Sequence, residues 1–458
     1  MPVRALRRAA AAACLAAGGA AAQPAPDTQA LRREIDALRA DYENRLQALE
    51  RRLQAAEAAV AQQPPAPAAS PVPAPVPATQ PTAAGRGLLD LSLILSGQYI
   101  HTQLDPATYR IRGFPLPPGA EIGPGTRGFS LAETELTLSA HVDPWFRGVA
   151  TVAFTPENEA EVEEAFVQTT ALGHGLSVKA GRFLSNIGYL NPQHSHAWDF
   201  ADAPLAYQAM LGAQFKDDGV QLTWLAPTER FFELGLEVGR GRSFPGTDTA
   251  RNGAGAVAAM AHVGDDIGAS HSWRAGLSYL RARANGQELA TSGPGGNEVA
   301  SAFTGRTSVW IADAVWKWAP EGNATRRNFK LQGEYLRSTR EGELMVDPAG
   351  PAPAAGLRAV QSGWYLQGVY QFRPRWRVGL RTERLDPGTP DLGANAGLLD
   401  IDTGRARKTT LMLEHDPSEF SRIRLQVAQD RARPGDASDL QWWLQYQMSL
   451  GAHGAHGF

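Results

Sequence analysis

Ser438-Asp439-Leu440-Gln441-Trp442-Trp443-Leu444-Gln445-Tyr446-Gln447-Met448-Ser449 alternates two kinds of side chain. Leu440, Trp442, Leu444, Tyr446 and Met448 share one parity; Gln441, Trp443, Gln445 and Gln447 share the other. Period two sends successive side chains to opposite faces of a strand. One face is therefore apolar and aromatic, the other mostly amide. Comparable segments recur at 89–100, 128–142, 145–155, 161–171, 175–183, 219–226, 231–240, 254–264, 271–282, 306–318, 326–338, 361–372, 375–384, 407–415, 420–430 and 438–449. Sixteen such segments predict an all-β chain, a 16-stranded antiparallel transmembrane β-barrel over 87–458.

The connections support this reading. Short ones (His141–Pro144, Gly173–Gly175, Pro227–Arg230, Arg373–Pro374) take turns with long ones (His101–Arg127, Leu184–Gly219, Arg283–Gly305, Ser338–Val360). Outer-membrane barrels have short periplasmic turns and long external loops. An even strand number puts both ends of the barrel on the periplasmic side. The faces sort as well: Leu91, Leu95, Leu136, Trp310, Leu366, Leu380 and Leu425 fall at the parity expected to face lipid. The opposite parity carries Glu133, Glu135, Glu233, Glu237, Arg377, Arg381, Arg422 and Arg424, read as the lining of a water-filled channel. A charge turned toward lipid costs a few kcal/mol at mid-depth, about 2–4 for Arg or Lys. Eleven Trp, ten Tyr and sixteen Phe suit two interfacial belts.

Ahead of the barrel the composition changes. Arg4, Arg7 and Arg8, the apolar stretch Ala9–Ala17 and Ala20-Ala21-Ala22 read as a signal peptide over 1–22. The one cysteine, Cys14, lies within it, so thiol chemistry is excluded from the mature chain. Leu31, Ile35, Leu38, Tyr42, Leu46, Leu49 and Leu53 recur at spacings of three and four, which predicts a periplasmic coiled-coil helix over 23–61 and self-association. In an envelope anchor, its Arg32, Arg33, Arg39, Arg45, Arg51 and Arg52 could touch anionic wall polymers, or equally pair within the helix with Glu34, Glu43, Glu50 and Glu57. Residues 62–86 are a Pro/Ala-rich linker reaching on the order of 70 Å at about 3.1 Å per residue. A net charge of -3 gives no footprint for nucleic acid.

Glu163-Glu164-Ala165-Phe166-Val167-Gln168, Leu176-Ser177-Val178-Lys179-Ala180-Gly181-Arg182-Phe183 and Lys216-Asp217-Asp218-Gly219-Val220-Gln221-Leu222-Thr223-Trp224-Leu225-Ala226-Pro227, with the leader and Phe458, resemble the sixteen-stranded porin superfamily. Within it the chain is similar to uncharacterised outer-membrane proteins related to the phosphate-selective porins. The resemblance covers roughly Gly87–Phe458. It implies an outer-membrane channel, often trimeric, embedded in lipid and passing small hydrophilic solutes or ions. It also implies that the third external loop folds into the lumen, and by count that loop is Leu184–Gly219.

This loop holds Asn191-Pro192-Gln193-His194-Ser195-His196-Ala197-Trp198-Asp199-Phe200-Ala201-Asp202. Asp199 and Asp202 are expected to face the basic wall and set up a transverse field. Each Arg could instead pair with Glu383 or Glu414. His194, His196, Asp199 and Asp202 also form a candidate set for a divalent metal, the one cofactor the residues admit. His453 and His456 make a second histidine pair. No G-x-S-x-G or H-E-x-x-H occurs, so no catalytic residues are assigned and no enzyme is expected. A passive channel, an anchor tethering the envelope through the coiled coil, and a divalent-metal-selective channel are the readings carried forward.

Overall fold

The computed structural model describes residues 89–451 apart from positions 157–158, 250–251, 349 and 351–353. The expected signal peptide, coiled coil and linker, together with His453, His456 and Phe458, lie outside the described residues. Strands run in chain order as Asp90–Thr102 (β1), Gly128–Leu131 (β2), Thr134–His141 (β3), Phe146–Phe154 (β4), Ala160–Thr169 (β5), Leu176–Leu184 (β6), Lys216–Leu225 (β7), Phe231–Gly239 (β8) and Ala256–Ile267 (β9). They continue as His271–Ser292 (β10), Glu298–Trp318 (β11), Asn328–Val346 (β12), Ala355–Arg373 (β13), Trp376–Asp386 (β14), Ala406–Ser418 (β15), Ser421–Arg431 (β16) and Asp439–Gly451 (β17). Among the described residues one α-helix, Leu205–Leu211 (α1), interrupts the series.

Every pairing between these strands is antiparallel, each strand bonding its sequence neighbour. β1 closes the sheet by pairing with β17 from Ser92↔Gly451 to Thr102↔Gln441. β2 and β3 both pair with β1 and are two halves of one stave, broken at Ala132-Glu133. The 17 hydrogen-bonded segments therefore make a closed sixteen-stave barrel. The shortest staves, β4, β6 and β8, have nine residues each. That length is enough to cross a hydrocarbon core when tilted.

Burial follows the sequence parity. In β17, Leu444 is 49% exposed while its neighbour Gln445 is 8% exposed. Leu91, Leu277, Leu366 and Leu380 are likewise exposed on the outer surface. A continuous apolar outside is unstable in water and stable in lipid. No described helix is long and apolar enough to cross a membrane.

Two expectations about boundaries change. The connection read as Arg283–Gly305 is mostly strand, because β10 and β11 continue to Ser292 and from Glu298. Similarly, β12 and β13 consume much of Ser338–Val360. These extensions pass the roughly ten residues a membrane strand needs. They no longer have to present an apolar face, so the alternation that marks a strand fades. At the other correction, β7 begins at Lys216, which shortens the third long connection to 185–215.

The interior is also drier than expected for a wet lumen. Tyr109 and Phe114 from the first long connection pack with Leu205 and Met210 from the third and with Leu280 and Ile311 of β10 and β11.

Candidate functional site

Segment 185–215 touches inward-facing residues all round the barrel. Its chemistry differs from one flank to the other. The acidic flank is built by two irregularities. At the β2/β3 break an additional residue reverses the parity, so that Glu135, and Glu133 two positions before it, turn inward while Phe129 and Leu131 face out. In β5 the register moves from Thr151↔Glu164 to Val152↔Val162, leaving Glu163 as the extra residue of a bulge. A bulge breaks the period-two rule and can aim adjacent side chains at the same face. Glu135, Glu163 and Glu164 are consequently all buried on the inner side.

His194-Ser195-His196 meets these carboxylates. His194 Nδ1 lies 2.9 Å from Glu163 Oε2 and 3.0 Å from Glu135 Oε2, and its Nε2 lies 3.0 Å from Glu164 Oε2. His196 Nδ1 is 2.7 Å from Glu135 Oε1, and Ser195 Oγ donates to Glu133. Burial disfavours a charged His194, but hydrogen bonds with Glu135, Glu163 and Glu164 outweigh it and hold the imidazole well above its usual pKa. Further along, Asn186 donates from its backbone to Glu237 (2.8 Å) and from its side chain to Glu233 (3.1 Å).

In the middle, Leu190 N–H and the Tyr207 hydroxyl donate to Glu334 at 3.0 and 2.8 Å, and Tyr365 donates to the same carboxylate at 2.6 Å. Gly188 permits this approach. Its φ is +65°, and a Cβ there would lie 2.4 Å from Glu334 Oε2 and 2.7 Å from the Tyr207 hydroxyl. Gly188→Ala is expected to lower stability by about 1–3 kcal/mol from backbone conformation alone. The check is the temperature at which the folded, fast-migrating gel species is lost.

The basic flank takes the aspartates. Asp199 pairs with Lys330 at 2.7 Å and Arg377 at 3.7 Å, and accepts a hydrogen bond from Gln367. Asp202 pairs with Arg381 at 2.7 Å and Lys408 at 2.6 Å, and accepts from Gln426. Arg424 Nη2 donates to Trp198 O at 2.7 Å and Arg422 to His196 O. Burial works against the Asp202 charge, but Arg381 and Lys408 prevail and hold its carboxyl below the usual aspartate range.

All eight residues assigned to the lining by sequence face inward. Arg381 and Arg424 are each 1% exposed, however, and Arg377, Arg422 and Arg424 converge on Glu414. Pairing with Glu383 and Glu414, the alternative considered from sequence, describes these arginines. The proposed metal set is divided: the structure joins His194 and His196 to Glu135, and places Asp199 and Asp202 with cations on the other flank. The reason is electrostatic, since buried aspartates beside ammonium and guanidinium groups are already neutralised. Sequence reading missed Lys408 and the joint role of Glu163 and Glu164. Two adjacent glutamates in an alternating strand were the available sign of a bulge.

A closed sixteen-stave barrel with a long connection bonded to its inner wall is the fold of outer-membrane porins. No protein-family model matches the chain. It is similar to the outer membrane channel DcaP of Acinetobacter baumannii, with 13% identity, 79% of this chain and 97% of that one covered, and a TM-score of 0.50. An anion-selective porin from Comamonas acidovorans aligns at 11% identity and a TM-score of 0.47, covering 79% of this chain and 99% of that one. In sequence, the chain is 33% identical over 351 residues to an uncharacterised protein of Aquifex aeolicus strain VF5, covering 72% of this chain and 70% of the relative. The chain belongs to that protein's family.

Proposed function

We propose that the chain is a passive diffusion channel of the outer membrane for small hydrophilic solutes or ions, with segment 185–215 as its constriction. The carrying observation is the inner face near the short turns. Lys179, Arg274, Lys317, Lys330 and Arg377 face inward there and retain partial exposure. Asp199, 2.7 Å from Lys330 and 3.7 Å from Arg377, and Glu414 beside Arg377 are the acidic groups among them. Charges kept partly wet inside an apolar-coated cylinder serve ions in transit better than they serve packing.

Their sign favours anions. Lys317 and Lys330 stand directly opposite each other on β11 and β12. Like charges in that position oppose the pairing; Asp199, 2.7 Å from Lys330, offsets part of the repulsion, and a passing anion would relieve the rest. Kinship with the phosphate-selective porins, implied by the sequence resemblance, fits a basic mouth. Acidic side chains gathered on β3, β5 and β8 and basic ones on β14–β16 would also orient dipolar solutes.

Self-association is supported by the outer face of β3–β6. Ala140, Gly148, Ala150, Ala165 and Ala180 sit there in place of large apolar residues, and small residues let membrane elements approach closely. A trimer is the assembly we favour.

Planar-bilayer recording of the folded protein tests the reading. We expect ohmic unitary currents with anions preferred, and a roughly twofold lower anion/cation permeability ratio in Lys317→Gln/Lys330→Gln. Folded protein that carries no current would favour a structural anchor instead.

A further inference from the structure

We propose that Glu135, His194 and His196, with Glu163 and Glu164 beside them, bind one divalent transition-metal ion of the zinc class and so fasten segment 185–215 to the barrel wall. Donor chemistry selects the class of ion. One ligand atom from each of Glu135, His194 and His196 lies within 4.8 Å of the other two, and a second such group joins Glu133, Glu135 and Glu163. Imidazole with carboxylate suits Zn, Ni, Co or Cu, whereas Ca and Mg take oxygen shells.

Charge on the wall points the same way. Glu133, Glu135, Glu163 and Glu164 crowd one inner patch, and a dication compensates more of that charge than an imidazolium does. Glu135 adds an independent sign. It is 1% exposed and touches both imidazoles, Oε1 at 2.7 Å from His196 Nδ1 and Oε2 at 3.0 Å from His194 Nδ1, a nitrogen that it shares with Glu163 at 2.9 Å. The cluster therefore holds more buried carboxylate lone pairs than imidazole protons to fill them.

The geometry is close to what an ion requires. A tetrahedral shell with metal–ligand bonds of about 2.0–2.1 Å separates its donor atoms by roughly 3.3 Å. Contacts of 2.7–3.0 Å among these groups need to widen by a few tenths of an ångström. His194, 23% exposed, has room to turn. The imidazoles lie nearly parallel, 5.6 Å apart at 25°. Outer contacts hold the ligands in place: Leu184 N–H donates to Glu164 Oε1 at 3.0 Å, and Arg422 donates to the His196 carbonyl.

The experiment uses the full chain, folded in detergent and stripped with EDTA. It is independent of whether the chain conducts. Titration with Zn²⁺ should give one tight ion per chain, and Co²⁺ should give the visible absorption of a four-coordinate nitrogen/oxygen site. His194→Ala/His196→Ala should weaken the affinity on the order of 100-fold, while His453→Ala/His456→Ala should leave it unchanged. Should the double alanine variant fail the heat-modifiability test for folding, Glu135→Gln replaces it, with an expected loss of at least tenfold. Folded wild-type protein without a stoichiometric ion overturns the proposal, as does binding that survives the ligand substitutions or disappears with His453 and His456. In those cases a protonated His194 alone occupies the acidic cluster.

Discussion

Asp202→Ala is expected to lower the stability of the barrel by about 3–5 kcal/mol, the usual cost of removing one partner from a buried ion pair. Arg381 and Lys408 are each 1% exposed, and Asp202 lies 2.7 and 2.6 Å from them. Without it, Arg381 retains Glu383 at 2.8 Å, but the nearest other carboxylate to Lys408 is Asp430 at 3.8 Å. The loss therefore falls chiefly on Lys408. Segment 185–215 also loses its tie at this flank, so unitary conductance should rise. Chemical unfolding and single-channel recording report the two effects separately, and unchanged values in both would remove Asp202 from this role. The pH dependence follows from the depressed carboxyl pKa. Because the folded value lies below the unfolded one, the contribution is complete above the ordinary aspartate pKa of about 3.9 and disappears as pH falls through the lower folded value. Wild-type unfolding should thus change little through this pair between pH 7 and pH 5.

Glu414→Gln should be at least as damaging, by about 3–5 kcal/mol. This carboxylate is fully buried and receives Arg424 at 2.8 Å, Arg422 at 3.6 Å, and Arg377. Glutamine keeps the shape and removes the charge, leaving three guanidinium groups to repel one another. Two consequences can be measured. The midpoint of unfolding falls, and the newly uncompensated arginines raise the anion/cation permeability ratio. Adding Arg424→Gln should recover part of the stability, because it removes one of the repelling charges. The double-mutant cycle for Glu414 and Arg424 should show coupling on the order of 1–3 kcal/mol. A cycle that closes additively would mean that Glu414 is not the centre of this cluster.

The staves were legible because lipid imposes a strict rule on the outer parity, as Leu91, Leu277, Leu380 and Leu444 demonstrate. Where that rule lapses, the reading lapsed too: β10 to β13 outrun the membrane, and their extensions bury their apolar residues (Leu289, Phe303, Leu344 and Leu357) in a cluster of their own. Inside the barrel the correct faces were found, and the pairing of the arginines with Glu383 and Glu414 was among the readings, but the partners of the histidines were not. His194 and His196 were paired on paper with Asp199 and Asp202, their neighbours in sequence. The structure gives them Glu135, Glu163 and Glu164, 30 to 61 positions away. Alternation says which way a side chain points and nothing about what crosses the lumen to meet it. The two bulges that gather the glutamates violate alternation, and only the adjacency of Glu163 and Glu164 hinted at one of them. Helix α1 was read as loop because seven residues show too little periodicity to be recognised.

The seam between β1 and β17 has a kinetic consequence. Leu93 faces Leu450, a contact between residues more than three hundred positions apart. Until those two strands meet, both edges of the curved sheet offer bare amides and carbonyls to any other chain. Such distant contacts are slow to form because loop entropy is lost before the ladder rewards it. Closure is therefore a late, nearly all-or-none event, and the interval before it is when this polypeptide is most exposed to misassembly.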